Sequence, residues 1–171
     1  MGEPNATDRD QLLDAERDVQ ARLGDRALDF ESLDAISNIY RAAGAIRRRA
    51  EGQVLAEFNL SFGGFTVLWV LWVWGEMETA QLADECGVAK GTLTGLLTTL
   101  EKRSLVERKR VQADRRRVQV ELTDAGTALI DELFPKFNSF ESAMTRGLDG
   151  SRKQDLAQLL RSVIKNATDL D

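Results

Sequence analysis

Apolar side chains recur at every third or fourth position through two long stretches of the first sixty residues, and this spacing predicts helices. The first stretch, Asp10 to Leu23, carries a modest stripe of Leu12, Leu13, Val19 and Leu23 and stops at Gly24. A frayed arm is its alternative reading, and Met1 to Asp8 ahead of it read as disordered. The second stretch, Asp29 to Phe58, places Leu33, Ile36, Tyr40, Ala43, Ala50, Val54 and Phe58 on one face, with Arg47 as its polar interruption. Gly44 and Gly52 within it predict close packing or a bend. Ser61 can cap a third helix that runs to about Gly75 and is apolar nearly all round, which predicts burial.

From Gln81 the pattern shortens. Leu82, Ala83 and Cys86 form one apolar face, Gly87 follows Ala83 by four residues, and a second apolar row of Leu93, Leu96, Leu97 and Leu100 begins soon after. Two short helices crossing steeply need a small residue at the crossing and a turn in the left-handed region, which Gly adopts without steric cost. The outer face of the second helix carries Lys90, Gly91, Thr92, Thr94, Gly95, Thr98 and Thr99. Small, hydroxylic and basic residues there permit close approach to a DNA major groove.

Beyond Arg103 the period changes from helical to two. Leu105 to Val111 and Arg117 to Leu122 alternate as strands around a charged turn at Gln112 to Arg116, which predicts a hairpin. Helix, glycine turn, apolar-backed helix and arginine-tipped hairpin together read as a winged helix-turn-helix. Thr123 or Asp124 then opens a helix striped with Leu129, Leu133, Phe137, Phe140, Met144 and Leu148 and kinked at Pro135. Ser151 with Gln154 forms a capping box for a last helix bearing Leu156, Leu159, Leu160, Val163 and Ile164.

Charge sharpens this picture. The chain of 171 residues has a net charge of -5, yet Val88 to Val120 holds nine Lys or Arg against three Asp or Glu. The basic charge sits on the reading head, where it attracts phosphates, and the acidic remainder orients the approach. The sequence has no His and one Cys, which excludes His acid/base chemistry, a Cys/His metal cluster and an internal disulfide. Cys86 reads as a structural thiol, with a redox sensor as the alternative. The apolar run Phe65 to Trp74 is too short to span a bilayer and no signal-peptide pattern opens the chain, so a cytoplasmic protein with no membrane partner is expected. No nucleophile with a base, phosphate loop or metal set points to an enzyme, and no cofactor is expected.

From Leu60 to about Ile130 the chain resembles the MarR family of bacterial transcriptional regulators. LSFGGFTVLWVL resembles the helix before the family's reading head, GVAKGTLTGLLTTLEKRSLVER its recognition helix and first wing strand, and DRRRVQVELTDAGTALI its wing tip, second strand and following helix. The Asp-Arg-Arg followed by Leu-Thr-x-x-Gly is the specific part. The resemblance implies that Asp114 and Arg116 form a wing-tip pair, with Arg115 and Arg117 as further phosphate contacts; Arg108 completes the basic set on the hairpin. Against the family's pattern, Gly95 replaces a long polar residue, Ala89 a capping Ser, Ser104 a helix-ending Gly, and Gly63-Gly64 a Pro-Gln-like pair.

The expected fold is therefore mainly α (α+β): a winged helix-turn-helix at 61–123 between dimerisation helices at 29–60 and 124–171, after an N-terminal extension at 1–28. The resemblance implies a homodimer that binds a palindromic operator in double-stranded DNA, most often as a repressor, and answers a small effector. Trp69, Trp72 and Trp74 read as core fillers. Their alternative is a pocket in which Trp69 and Trp72, with Tyr40 and Arg47, take an aromatic or phenolic ligand. Arg47, Arg48 and Arg49 otherwise read as a solvated face. The rival function is a winged-helix protein-interaction module with weak or no specific DNA binding.

Overall fold

The fold is described from a computed structural model, which covers residues 13–24, 26–111 and 114–169, with the backbone alone for 110–111 and 114–116. The expected disorder of Met1 to Asp8 lies outside these residues. The chain divides into two compact units, 1–46 and 47–171.

The first unit holds α1 (Asp14–Leu23) and most of α2 (Phe30–Gln53). Helix α1 is tied down rather than frayed. Glu16 is 4% exposed, accepts the Leu13 N–H at 2.6 Å to close the helix start, and accepts from Asn38 Nδ2 of α2 at 2.5 Å. Gln20 Nε2 donates to Asp34 at 3.2 Å beside it. Gly24 sits in the right-handed region, so it does not stop α1 by a left-handed turn. Asp29 caps α2 by accepting from the Ser32 N–H at 3.0 Å and hydroxyl at 2.6 Å. The Ser32 hydroxyl bond, the larger cause, holds the Asp29 carboxyl below its usual range.

Helix α2 ends at Gln53, earlier than its apolar spacing predicts. A 3-10 turn, Leu55–Phe58, follows, and Asn59 reverses the chain at φ 51°. The Arg103 guanidinium fixes this reversal by donating to the carbonyls of Phe58 at 2.8 Å and Asn59 at 2.7 Å. Such a long-range anchor leaves no trace in local spacing. Of the expected α2 stripe only Ala50 is fully buried, while Ile36 and Tyr40 are exposed.

The second unit is built around α3 (Phe62–Trp74). Ser61 caps it as expected, accepting from the Gly64 N–H at 3.1 Å. Phe65, Val67, Leu68, Val70 and Leu71 fill the core, and Phe65 stacks on Phe137 with ring centroids 4.1 Å apart. The tryptophans are not the core fillers. Trp69 is half-buried, and Trp72 and Trp74 are 38% and 54% exposed. An indole N–H must keep a partner, and Trp72 Nε1 donates to Asp131 at 2.8 Å from the rim of the core.

A two-residue strand β1 (Met77–Glu78) leads into α4 (Thr79–Glu85), α5 (Lys90–Lys102), β2 (Val106–Val111) and β3 (Asp114–Leu122). The sheet is antiparallel in the order β1-β3-β2, with Met77 opposite Val120 and Val106 opposite Leu122. Strand β3 begins three residues earlier than alternation predicts. A register shift at Arg110/Val111 pairs Val111 with Asp114 and draws Asp114 to Arg116 from the expected turn into the strand.

Thr123 caps α6 (Asp124–Met144), accepting from the Gly126 N–H at 3.0 Å while donating to the Ser104 carbonyl at 2.6 Å. The helix continues through Pro135, and it buries Ile130, Leu133, Phe137 and Phe140. Ile130 takes the core place expected of Leu129, which is half-buried, and Met144 is 37% exposed. Helix α7 (Gly150–Asp169) is capped by Asp149, which accepts from the Arg152 N–H at 2.9 Å and the Ser151 hydroxyl at 3.0 Å. Ser151 thus donates to the cap instead of forming a capping box. No residue of α7 is buried. Among the described residues no helix is long and apolar enough to cross a membrane.

Candidate nucleic-acid interface

The interface is assembled from α4, α5 and the β2–β3 hairpin. Leu82 and Ala83 of α4 are buried, and the chain turns to α5 through Gly87 at φ 63°. Ala89 occupies the N-cap of α5 with no side-chain acceptor. Leu93, Leu97 and Leu100 are buried and Leu96 half-buried, so α5 is clamped to the core by one face.

Its other face is open. Lys90, Gly91, Thr92, Thr94, Gly95, Thr98 and Thr99 are all exposed, and a Cβ added at Gly91 or Gly95 would meet nothing within 4 Å. The threonine hydroxyls bond back to their own helix: Thr94 to the Lys90 carbonyl at 2.9 Å, Thr98 to the Thr94 carbonyl at 2.8 Å, and Thr99 to the Gly95 carbonyl at 3.1 Å.

The hairpin beside α5 is basic, but its described cations are matched to carboxylates. Arg108 grips Glu101 at two points, with Nε donating at 2.8 Å to Oε1 and a terminal nitrogen to Oε2. That hydrogen bond to Glu101 raises the Arg108 pKa. Lys109 pairs with Glu121 and Glu107, and Arg117 Nε donates to Glu78 at 2.8 Å. Asp114, Arg115 and Arg116 lie on β3, and the geometry of their side chains is outside the described residues. Glu101 and Glu78 carry no sequence signal as partners, because separations of 7 and 39 residues mean nothing until the helix and the strands have packed.

Among the described residues three cavities border α5, the smallest of about 70 Å³ against Asn59 and Leu60. One of about 500 Å³ lies between α4, α5 and the hairpin, lined by Thr79, Lys90, Thr94, Arg108 and Val118 among others. Another, about 310 Å³, is lined by Arg47, Phe62, Thr66, Cys86 and Thr92 with their neighbours. Arg47 pairs with Glu51 at 3.5 Å and lies 5.9 Å from the centre of the Phe62 ring. Trp69 and Trp72 do not line this cavity. Trp69 packs edge-to-face on Trp74, and Trp72 lies against Phe134. Tyr40, in the first unit, is 75% exposed. Cys86 is half-buried, and burial first, the charge of Glu85 second, pushes its thiol up to about 11. A thiol with that pKa is protonated near neutral pH and a poor nucleophile, which fits the structural reading.

Known proteins match this arrangement. A family model described as MarR family matches residues 60–118. The HTH-type transcriptional regulator YwaE of Bacillus subtilis is 36% identical over 159 residues, covering 91% of this chain and 93% of that protein. BpsR of Bordetella bronchiseptica, solved in work on the regulation of its DNA binding by 6-hydroxynicotinic acid, is 27% identical with a TM-score of 0.58, over 71% of this chain and 97% of BpsR. A mutant MarR from E. coli complexed with operator DNA shares the fold, with a TM-score of 0.71 at 22% identity over 80% of this chain and 99% of that one. With the family model on the reading head and YwaE matched over nearly its whole length, the chain belongs to the MarR family of winged helix-turn-helix transcriptional regulators.

Proposed function

We propose that the chain works in the cytoplasm as a homodimeric repressor, binding a roughly palindromic operator until a small effector releases it. The observation that carries this reading is the open face of α5. Between Lys90 and Glu101 none of its exposed side chains is larger than Thr, so the helix backbone can come close to base edges in a major groove. Lys90, Gly91, Thr92, Thr94, Gly95 and Thr98 make that approach. Arg108, Arg115, Arg116 and Arg117 follow the phosphates and the adjoining minor groove, and Asp114 holds the wing tip around Arg116.

Residues 61–123 form the reading domain, 29–60 and 124–171 the dimerisation region, and 1–28 an extension of it. Leu156, Leu159 and Ile164 of α7 are 44%, 66% and 64% exposed, an apolar surface that a second copy would cover. The regulation of BpsR by an aromatic acid supports a similar effector here. The cavity beside Arg47 offers a guanidinium and a phenyl ring for a small aromatic or phenolic anion.

The test is binding of the purified chain to the DNA flanking its own gene, and to unrelated duplex, at several salt concentrations. A steep salt slope, preference for the native DNA and two chains per site are the expected results. Equal weak binding to every duplex would favour a protein-interaction module, for which the bare Gly95 and the uncapped Ala89 speak.

A further inference from the structure

We infer that Thr94 and Thr98 are the sequence-discriminating residues of α5, each reading a thymine methyl group together with an exocyclic amino group, so that A·T pairs form the core of each half-site. The inference rests on the DNA-reading function proposed above and specifies what is read.

A hydroxyl is ordinarily both donor and acceptor, and so discriminates little among base edges. Here that ambiguity is removed. The Thr94 hydroxyl donates to the Lys90 carbonyl at 2.9 Å and the Thr98 hydroxyl to the Thr94 carbonyl at 2.8 Å. A carbonyl cannot donate, so the hydroxyl hydrogen is committed to the helix in both bonds. What each side chain offers a ligand is oxygen lone pairs and a methyl group.

Thr94 and Thr98 lie one turn apart, Thr98 beside Gly91 and Gly95 on the outer face and Thr94 on the hairpin side, where it lines the cavity shared with Lys90 and Arg108. The other two threonines lie on the side of the helix away from the hairpin. Thr92 lines the Arg47 cavity, and Thr99 lines a small one against Asn59 and Leu60. With no Cβ at Gly91 or Gly95 and open space around both, the two reading threonines can reach the floor of a groove.

The four base pairs differ in what they present there. A G·C pair shows the guanine acceptors N7 and O6, which oppose lone pairs, and the cytosine N4 amino donor, but no methyl, so the methyl contact is what separates it from A·T. An A·T pair shows the thymine methyl and the adenine N6 amino donor, which complement a methyl and a lone pair. Long donors that could read guanine stand only at the ends of the helix, at Lys90 and Lys102, while Arg103 is held by the Phe58 and Asn59 carbonyls. The central contacts are therefore left to groups that favour A·T.

The experiment selects preferred sequences from random duplexes with the full-length protein, then replaces single thymines by deoxyuridine and single adenines by purine lacking the 6-amino group. The selected half-sites should hold A·T pairs at adjacent central positions. Deoxyuridine there should weaken binding about fourfold, the worth of one buried methyl group. Thr98→Ser, which keeps the hydroxyl, should lose that sensitivity at one position. Thr98→Val, which keeps the methyl, should retain it but no longer distinguish adenine from the purine lacking the 6-amino group. Selection of G·C at those positions, or equal deoxyuridine sensitivity in the parent and Thr98→Ser, overturns the inference while leaving DNA reading intact. Enrichment of no sequence at all removes the DNA-reading function, and this inference with it.

Discussion

Glu101, in the last turn of α5, holds the Arg108 guanidinium of β2 by a two-point pair, so a carboxylate stands beside the surface proposed to meet DNA phosphates. The pair joins recognition helix to hairpin. It also competes with DNA phosphates for that cation. Glu101→Gln removes the charge with little change of shape and releases Arg108. Binding to all duplexes should tighten, and the slope of log affinity against log salt should steepen by up to about one. An unchanged slope in a salt titration would show that Arg108 does not reach a phosphate even when released.

Gly126 lies where α6 begins, and the Thr123 N–H donates to the Leu105 carbonyl at 3.1 Å just ahead of it. A Cβ at Gly126 would stand 2.0 Å from that carbonyl oxygen, inside any tolerable contact and against backbone rather than a movable side chain. Gly126→Ala must displace α6 from the sheet. A loss of about 3 kcal/mol is expected from denaturant unfolding at fixed protein concentration. A loss under about 1 kcal/mol would mean that the junction yields easily.

Ser104 ends α5 at φ 57°, and the Leu105 N–H donates back to the Leu100 carbonyl at 3.0 Å while the Ser104 N–H donates to Glu101 at 2.8 Å. This six-to-one and five-to-two pattern is a helix stop that favours glycine. Ser104→Gly relieves the left-handed strain at some cost in unfolded-chain entropy, for a net gain of about 0.5 kcal/mol in the same unfolding assay. Destabilisation instead would place a hidden role on the Ser104 side chain.

These positions show what kind of information a sequence carries. The glycine turn at Gly87, the Ser61 cap and the Leu93-Leu97-Leu100 face are local rules written in a few neighbouring residues and were legible, while the start of α6 was legible only as Thr123 or Asp124. Strand β1 was not, because two residues have no period; it exists only through pairing with Val120 and Gln119. Trp72 was misread because hydrophobicity scales do not say whether an indole N–H will find an Asp131 from another helix. The cap of α7 was misplaced by two residues because Asp149 and Ser151 both fit the local rule, and only the bond from Arg152 decides between them. At the site, the outer face of α5 was legible, whereas the carboxylates that hold Arg108 and Arg117 appear only after helix and sheet have packed.

Cys86 supplies a pH-dependent test. Burial raises its native pKa to about 11 from 9.0, so the folded state holds the proton more tightly than the unfolded one. Its contribution to stability is then full below about pH 9 and is lost as pH rises toward 11. Alkylation at pH 8 should be about a hundredfold slower in native protein than in unfolded chain, in proportion to the thiolate fractions. Equal native and unfolded rates would reopen the redox reading.

Helix α7 has apolar residues at Leu156, Leu159 and Ile164 and none of its residues buried, which a folded monomer in water has no reason to maintain. If a second copy covers this face, a charge placed there must be desolvated on assembly or must prevent it. Leu159→Asp should therefore sediment as a monomer at concentrations where the parent is a dimer, with its helical circular dichroism kept because the position is already 66% exposed in the single chain. Operator affinity should fall at least tenfold, since one reading head loses the effective concentration supplied by its tethered twin. A variant that remains dimeric would move the interface off α7, and a monomeric variant with unchanged operator affinity would show that one head suffices to read the site.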